Sequence, residues 1–186
     1  EFATAAFHNS YYFHKDDNVI TNKEEVCGDF EKLINLQLKE KHPKSWMRAF
    51  FNMGLINYIE GSRRMLPCQA GEMNFFVEPY GDIYPCNGLE KKYWKKSMGN
   101  IRETPNFKEV WEGEQAEQVR QMVRRCPKNC WMVGTASPVM HKYIKYPLKW
   151  ALKNKLRSLQ GKTACLDKCW YNVGQDPSQG DLREVF

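Results

Sequence analysis

The 186-residue sequence has no uncharged apolar run approaching the roughly 18 residues that a membrane-spanning helix needs, and its N-terminus lacks the charged-then-apolar layout of a secretory signal. Cysteine is too sparse for a disulfide scaffold: seven residues are just under 4% of the chain, against roughly 8–10% in such scaffolds, and an odd number leaves one unpaired. The four histidines (His8, His14, His42 and His141) are scattered, with no i, i+4 ligand pair, so each reads as a solvated or capping residue. No glycine-rich phosphate loop, nucleophile elbow or metalloprotease motif is present. Carboxylates are missing altogether from His141 to Lys162.

What is present is enough for a globular core. Hydrophobic residues make up 42% and charged residues 27%, with six Trp, nine Tyr and ten Phe, which excludes a disordered or low-complexity chain. In a reducing, cytoplasmic setting, clustered thiols more often hold a metal or do redox work than form disulfides, because the thiolate is the ligating form. Metal is therefore the first functional question.

Glu1-Phe2 fits poorly with the small and aromatic residues after it and is set aside. Ala3 to Phe13 reads as a strand running into a loop, with no sheet partner nearby, which suggests a piece of a longer protein. Thr21-Asn22-Lys23-Glu24 has capping-box spacing ahead of an inward stripe of Val26, Phe30, Leu33 and Ile34. Pro43 opens a second helix to about Glu60, with Trp46, Phe50, Leu55 and Ile59 inward and Gly61 as its stop, so the two helices form an expected α-hairpin.

After Cys68 the period changes from helical to extended. Met73–Val77 and Asp82–Tyr84 flank Glu78-Pro79-Tyr80-Gly81, a turn in which proline presets φ and glycine accepts a positive φ. Asp82 reads as a turn residue. The fold-back of this β-hairpin carries Cys68 and Cys86, 18 positions apart, to one end. Met98–Ile101 is a short extended piece. Thr104-Pro105 then caps helical segments with Phe107, Val110, Trp111, Val119, Met122 and Val123 inward, and these deliver Cys126 at their C-terminal end. The fold class is α+β, an α-helical hairpin followed by a small cysteine-rich β-hairpin domain with flanking helices.

Cys68, Cys86, Cys126 and Cys130 are the candidate metal ligands, with four buried core thiols as the structural alternative. Cys165 and Cys169 repeat the Cys-x3-Cys-Trp pattern of Cys126 and Cys130, and read equally as a free pair, a disulfide or a second site. Tetrahedral zinc usually takes paired C-x2-4-C knuckles, whereas Cys68 and Cys86 are separated singles, a spacing that suits the wider iron-sulfur cube. Zinc stays open as the alternative.

Cys68-x12-Gly81-x4-Cys86, followed by Gly99-Asn100-Ile101, Phe107-Lys108-Glu109-Val110-Trp111 and Cys126-x3-Cys130-Trp131, resembles the C-terminal SPASM/Twitch domain of radical S-adenosylmethionine (radical SAM) enzymes. The resemblance spans Leu66 to Trp131. It implies an auxiliary [4Fe-4S] cluster behind a partial TIM-like barrel, with residues 1–20 as the last barrel strand and loop, 21–65 as a helical connection, 66–135 as the cluster-binding domain and 136–186 as a basic helix and tail. By position, Cys68, Cys86 and Cys130 match the family's ligands to the first auxiliary cluster. Cys126 matches a cysteine that full-length members give to a second one, and Cys27 competes with it as fourth ligand.

Two departures narrow the expectation. Arg120 to Arg125 lacks the further cysteine pair of a two-cluster domain, so one cluster is expected. The C-x3-C-x2-C signature that binds the SAM-cleaving cluster is absent, because Val133 and Asn172 occupy the third position after the two Cys-x3-Cys pairs. SAM would bind only in an upstream barrel, the expected partner of this segment, and the parent enzyme would act on a peptide or protein as relatives often do.

Charge is uneven. Residues 1–40 hold eight acidic and four basic side chains, and the remainder carries 14 and 24, or +10. Residues 141–162 form a basic amphipathic helix that Pro147 starts or kinks, with Ile144, Leu148, Leu152, Leu156 and Leu159 in one row. That row is expected to pack inward. The competing readings are a membrane-surface helix with Trp150, Tyr143 and Tyr146 at headgroup level, and a nucleic-acid or acidic-peptide contact.

Overall fold

The computed structural model describes residues 3–10, 13–15, 17–88, 96–104 and 106–166. Among these, the chain is α+β, with six helices and one small antiparallel sheet. It divides into two compact units. The first comprises residues 19–67 with the described parts of 1–7 and 128–175; the second comprises the described parts of 8–18 and 68–127.

The first unit is helical. Helix α1 (Lys23–Lys39) packs on α2 (Pro43–Ile59), and α6 (Lys145–Leu159) packs on both. Asn22 rather than Thr21 stands at the N-cap of α1 and makes no side-chain cap bond; its amide donates instead to the Glu25 carboxylate at 3.1 Å. Pro43 starts α2 as expected, at the position where a helix needs no N–H. Helix α2 buries nearly its whole second half because α1 and α6 cover two of its sides. The core here is built from Ile34, Leu38, Phe50, Leu55, Trp131 and Trp150. Helix α5 (Val133–Lys142) was not legible in the sequence, since Pro138 lies inside it; buried Ala136, Val139 and Met140 offset the lost hydrogen bond.

The second unit holds strands β1 (Phe76–Val77), β2 (Asp82–Tyr84) and β3 (Gly99–Asn100) in the order β1-β2-β3. Phe76 pairs with Tyr84 and Val77 with Ile83, while Ile83 also pairs with Gly99. The turn between β1 and β2 closes through Gly81 N–H to Glu78 O at 2.9 Å, with Gly81 at φ +98°. The extended piece at Gly99–Asn100 is thus a third strand, held by Asn100 Nδ2 donating to Asp82 Oδ1 at 3.0 Å.

Helix α3 (Phe107–Glu112) is capped by Asn106, whose side chain accepts from Lys108 N–H at 3.1 Å, and not by Thr104; Pro105 lies outside the described residues. Helix α4 (Glu114–Arg124) turns Val119 and Val123 inward, with Val119 against Ile83, Met98 and Val110. Phe107, expected inside, is exposed and joins Phe75 and Trp111 in a ring cluster with centroids 5.1 and 5.6 Å away. The expected N-terminal strand is also corrected. Residues 3–9 form no strand, and among the described residues of this segment the pairing is a single bridge between Ser10 and Lys15. Glu1, Phe2, Tyr11, Tyr12 and residues 167–186, including Cys169, lie outside the described residues.

Candidate metal centre

Cys68, Cys86, Cys126 and Cys130 all carry reduced thiols and are half-buried. The first three belong to the second unit and Cys130 to the first. Cys68 opens a tight loop in which Gly71 N–H donates to Asn74 O at 2.8 Å and Met73 N–H to Gln69 O at 2.9 Å. Cys86 follows β2 by two residues. Asn74 Nδ2 donates to Pro85 O at 3.1 Å, so the loop that starts at Cys68 is tied to the residue preceding Cys86. The antiparallel pairing of β1 and β2 returns the chain to the end from which it left.

Helix α4 is stitched to the same loop by two arginines. Arg120 Nε donates to Gly71 O at 2.8 Å, and its guanidinium lies 4.8 Å from the Trp111 ring centroid. Arg124 bridges Glu72 at 3.1 Å and Glu117 at 3.0 Å. The hydrogen bond from Arg124 holds the Glu117 carboxyl below its ordinary range, and Glu117 in turn raises Arg124. Cys126 follows Arg124 by two residues, its amide donating to Val123 O at 3.0 Å. The helix therefore delivers Cys126 at its C-terminal end, as the sequence implied.

Cys130 is held differently. Arg64, 6% exposed, donates from Nη1 to Cys130 O, from Nε to Leu66 O at 2.9 Å and from Nη2 to Thr135 O at 2.9 Å, and stacks 5.2 Å from the Trp131 centroid. Asn129 Nδ2 adds bonds to Tyr58 O at 3.2 Å and Ser62 O at 2.9 Å. Burial, with the negative charge of Cys130 second, pushes the Tyr58 hydroxyl up to about 12; that hydroxyl donates to Phe7 O at 2.8 Å. Arg64 and Asn129 were not singled out from the sequence. Nothing local marks them, because their partners lie between 2 and 71 positions away.

Among the described residues, no three His, Cys, Asp or Glu side chains stand together as a ligand group. In the second unit the ligand-bearing segments are joined through Gly71, Glu72, Asn74 and Pro85 without their sulfurs closing on one point. The donor chemistry fits iron of an iron-sulfur cluster or zinc, since all four groups are thiols. One buried atom nearby lacks a partner, Asn74 Oδ1. As a carbonyl oxygen it can accept an N–H or O–H donor.

Cys27 and Cys165 are the other two cysteines among the described residues, and both belong to the first unit. Cys27 faces the helical core beside Ile34 and Leu38. Cys165 is fixed by its backbone: its amide donates to Asn154 Oδ1 at 2.6 Å, and its carbonyl accepts from Trp150 Nε1 at 3.2 Å.

Comparison with known proteins adds one finding. Residues 68–132, about a third of the chain, match the SPASM family, an iron-sulfur cluster-binding domain. Neither the curated proteins nor the solved structures contain a match.

Proposed function

We propose that residues 68–132 hold an auxiliary [4Fe-4S] cluster through Cys68, Cys86, Cys126 and Cys130, within a radical SAM enzyme that modifies a peptide or protein in the cytoplasm. The observation that carries this reading is the extent of the family match, which begins at Cys68 and ends two residues beyond Cys130. The catalytic barrel and its SAM site belong to an upstream part of that enzyme. On this reading residues 21–65 connect the barrel to the cluster-binding domain, and 136–186 is an appended helix and tail.

When bound, such a cluster supplies one-electron transfer or an anchoring point for substrate. The chain's own residues prepare for it. Arg64 and Asn129 fix the backbone around Cys130, and Arg120 and Arg124 fix the loop after Cys68 against α4. Ligation is coupled to folding, so closing the four sulfurs on one centre is work that the cluster itself supplies. Cys126 is preferred to Cys27 as fourth ligand because Cys27 is committed to the core of α1.

Anaerobic reconstitution tests the proposal. The expected result is about four iron and four sulfide per chain with charge-transfer absorption. Stoichiometric zinc without sulfide overturns it, and assigns the chain instead to a zinc-stabilised interaction domain. Cys68→Ala and Cys86→Ala should each abolish the cluster, whereas Cys165→Ala should retain it.

A further inference from the structure

The basic helix α6 is turned the other way from what its periodicity implies. Trp150, Ala151 and Asn154 face the core, with Trp150 edge-on to Phe50 at 5.6 Å, while Ile144, Leu148, Leu152, Leu156 and Leu159 are 44% to 72% exposed. Each of the first four is followed by a cation: Ile144-Lys145, Leu148-Lys149, Leu152-Lys153 and Leu156-Arg157. A step of one residue is about 100° around a helix, so the sequence writes two parallel rows, one aliphatic and one basic, over a length of about 22 Å. Lys145, Lys149 and Lys153 are exposed along the second row. Lys155 is excluded from it, because its ammonium donates to the carbonyls of Leu38, Lys39 and Glu40 at 2.8 to 3.2 Å and completes the C-terminus of α1.

We infer that this face of α6 docks on an anionic lipid surface, with the aliphatic row in the acyl boundary and the lysine row at the level of the phosphates. Three features favour lipid over a protein partner. The exposed aliphatic residues form one row along one helix, which a deformable planar surface accommodates and a helical peptide, needing a groove, does not. The sequence from His141 to Lys162 is basic throughout, with no carboxylate. The exposed apolar residues of α6 are all aliphatic, and the first four are each followed in sequence by a cation, a pattern that suits a gradient of polarity with depth. The aromatic residues are not the contact: Trp150 is buried, and Tyr143 and Tyr146 pack partly on the core. No described helix is long and apolar enough to cross a membrane, so α6 lies on the surface. The inference rests on α6 alone and stands or falls apart from the cluster.

Flotation of the full chain with phosphatidylcholine vesicles, with or without about one third phosphatidylglycerol, tests it. Binding to the anionic vesicles, at least tenfold weaker to the neutral ones, is expected. Lys145→Gln/Lys149→Gln/Lys153→Gln should weaken partitioning on the order of a hundredfold, from about fivefold per cation. Leu148→Ser/Leu152→Ser/Leu156→Ser, or Leu156→Ser alone if the triple variant is unstable, should weaken it in protein that thermal melts show to be folded at the assay temperature. Equal binding to both vesicle types, or leucine variants that bind as the parent does, overturns the inference. So does a chain that ignores vesicles but forms a dimer, seen by sedimentation velocity, that Leu152→Ser abolishes; the row then belongs to a second copy.

Discussion

Gly54 in α2 lies against the indole of Trp131, so close that a Cβ at position 54 would stand 2.0 Å from Nε1 and 2.1 Å from Cε2. Trp131 is fully buried and donates from Nε1 to Phe51 O at 2.8 Å, one turn back along α2. The residue after Cys130 is thereby keyed into a notch that only glycine leaves open.

Gly54→Ala should destabilise the chain by about 3 kcal/mol, the upper range for overpacking, because neither the helix backbone nor the buried indole can withdraw. Urea unfolding measures the loss. Combined with Trp131→Leu, the two changes should cost less than their sum, since the smaller side chain relieves the clash.

Arg64→Met should cost about 3 kcal/mol or more, because the carbonyls of Leu66, Cys130 and Thr135 lose one shared donor in a buried setting. Arg64→Lys should recover only part of this, as a single ammonium cannot span three acceptors with the reach of a guanidinium. Thermal melts of the three proteins give the ranking, and an unchanged Met variant would remove Arg64 from its positioning role.

Cys27→Ser places a hydroxyl among Ile34, Leu38 and their neighbours, and should lower stability by about 1–2 kcal/mol while leaving reconstituted iron unchanged. Loss of iron with the fold intact would make Cys27 the fourth ligand in place of Cys126.

Glu117 carries a pH dependence. Its folded carboxyl titrates below the unfolded one because Arg124, and then Arg120, stabilise the charge. The stabilisation is present above the unfolded value of 4.5 and is lost as pH falls through the folded value. Wild type should therefore lose stability more steeply than Glu117→Gln as pH falls from about 5 to the acid limit, by an amount kept small by exposure. Parallel acid-unfolding curves for the two proteins would detach this network from α4.

Much of the second unit was legible because its signals are local. The Pro79–Gly81 turn, the strands beside it and the placement of Cys68, Cys86 and Cys126 at the ends of elements follow from residues a few positions apart. The network that holds these elements was not legible. Arg120 to Gly71, Arg124 to Glu72 and Arg64 to Cys130 join positions 49 to 66 residues apart, and a charged side chain looks the same in sequence whether solvated or buried.

The limit is plainest in α6. Its sequence alone determined a helix with Pro147 at its start or at a kink, a row of aliphatic residues three or four apart and a row of cations beside it; the helix begins at Lys145, with Pro147 in its first turn. Tertiary structure decided which side is covered, and it chose the side bearing Trp150 and Asn154 over the leucine row. Trp150 buries a large ring against Phe50 and bonds Cys165 O, and Asn154 satisfies both Trp150 O and Cys165 N–H. Periodicity measures how apolar residues are spaced around a helix, whereas burial depends on what the neighbouring helices can complement.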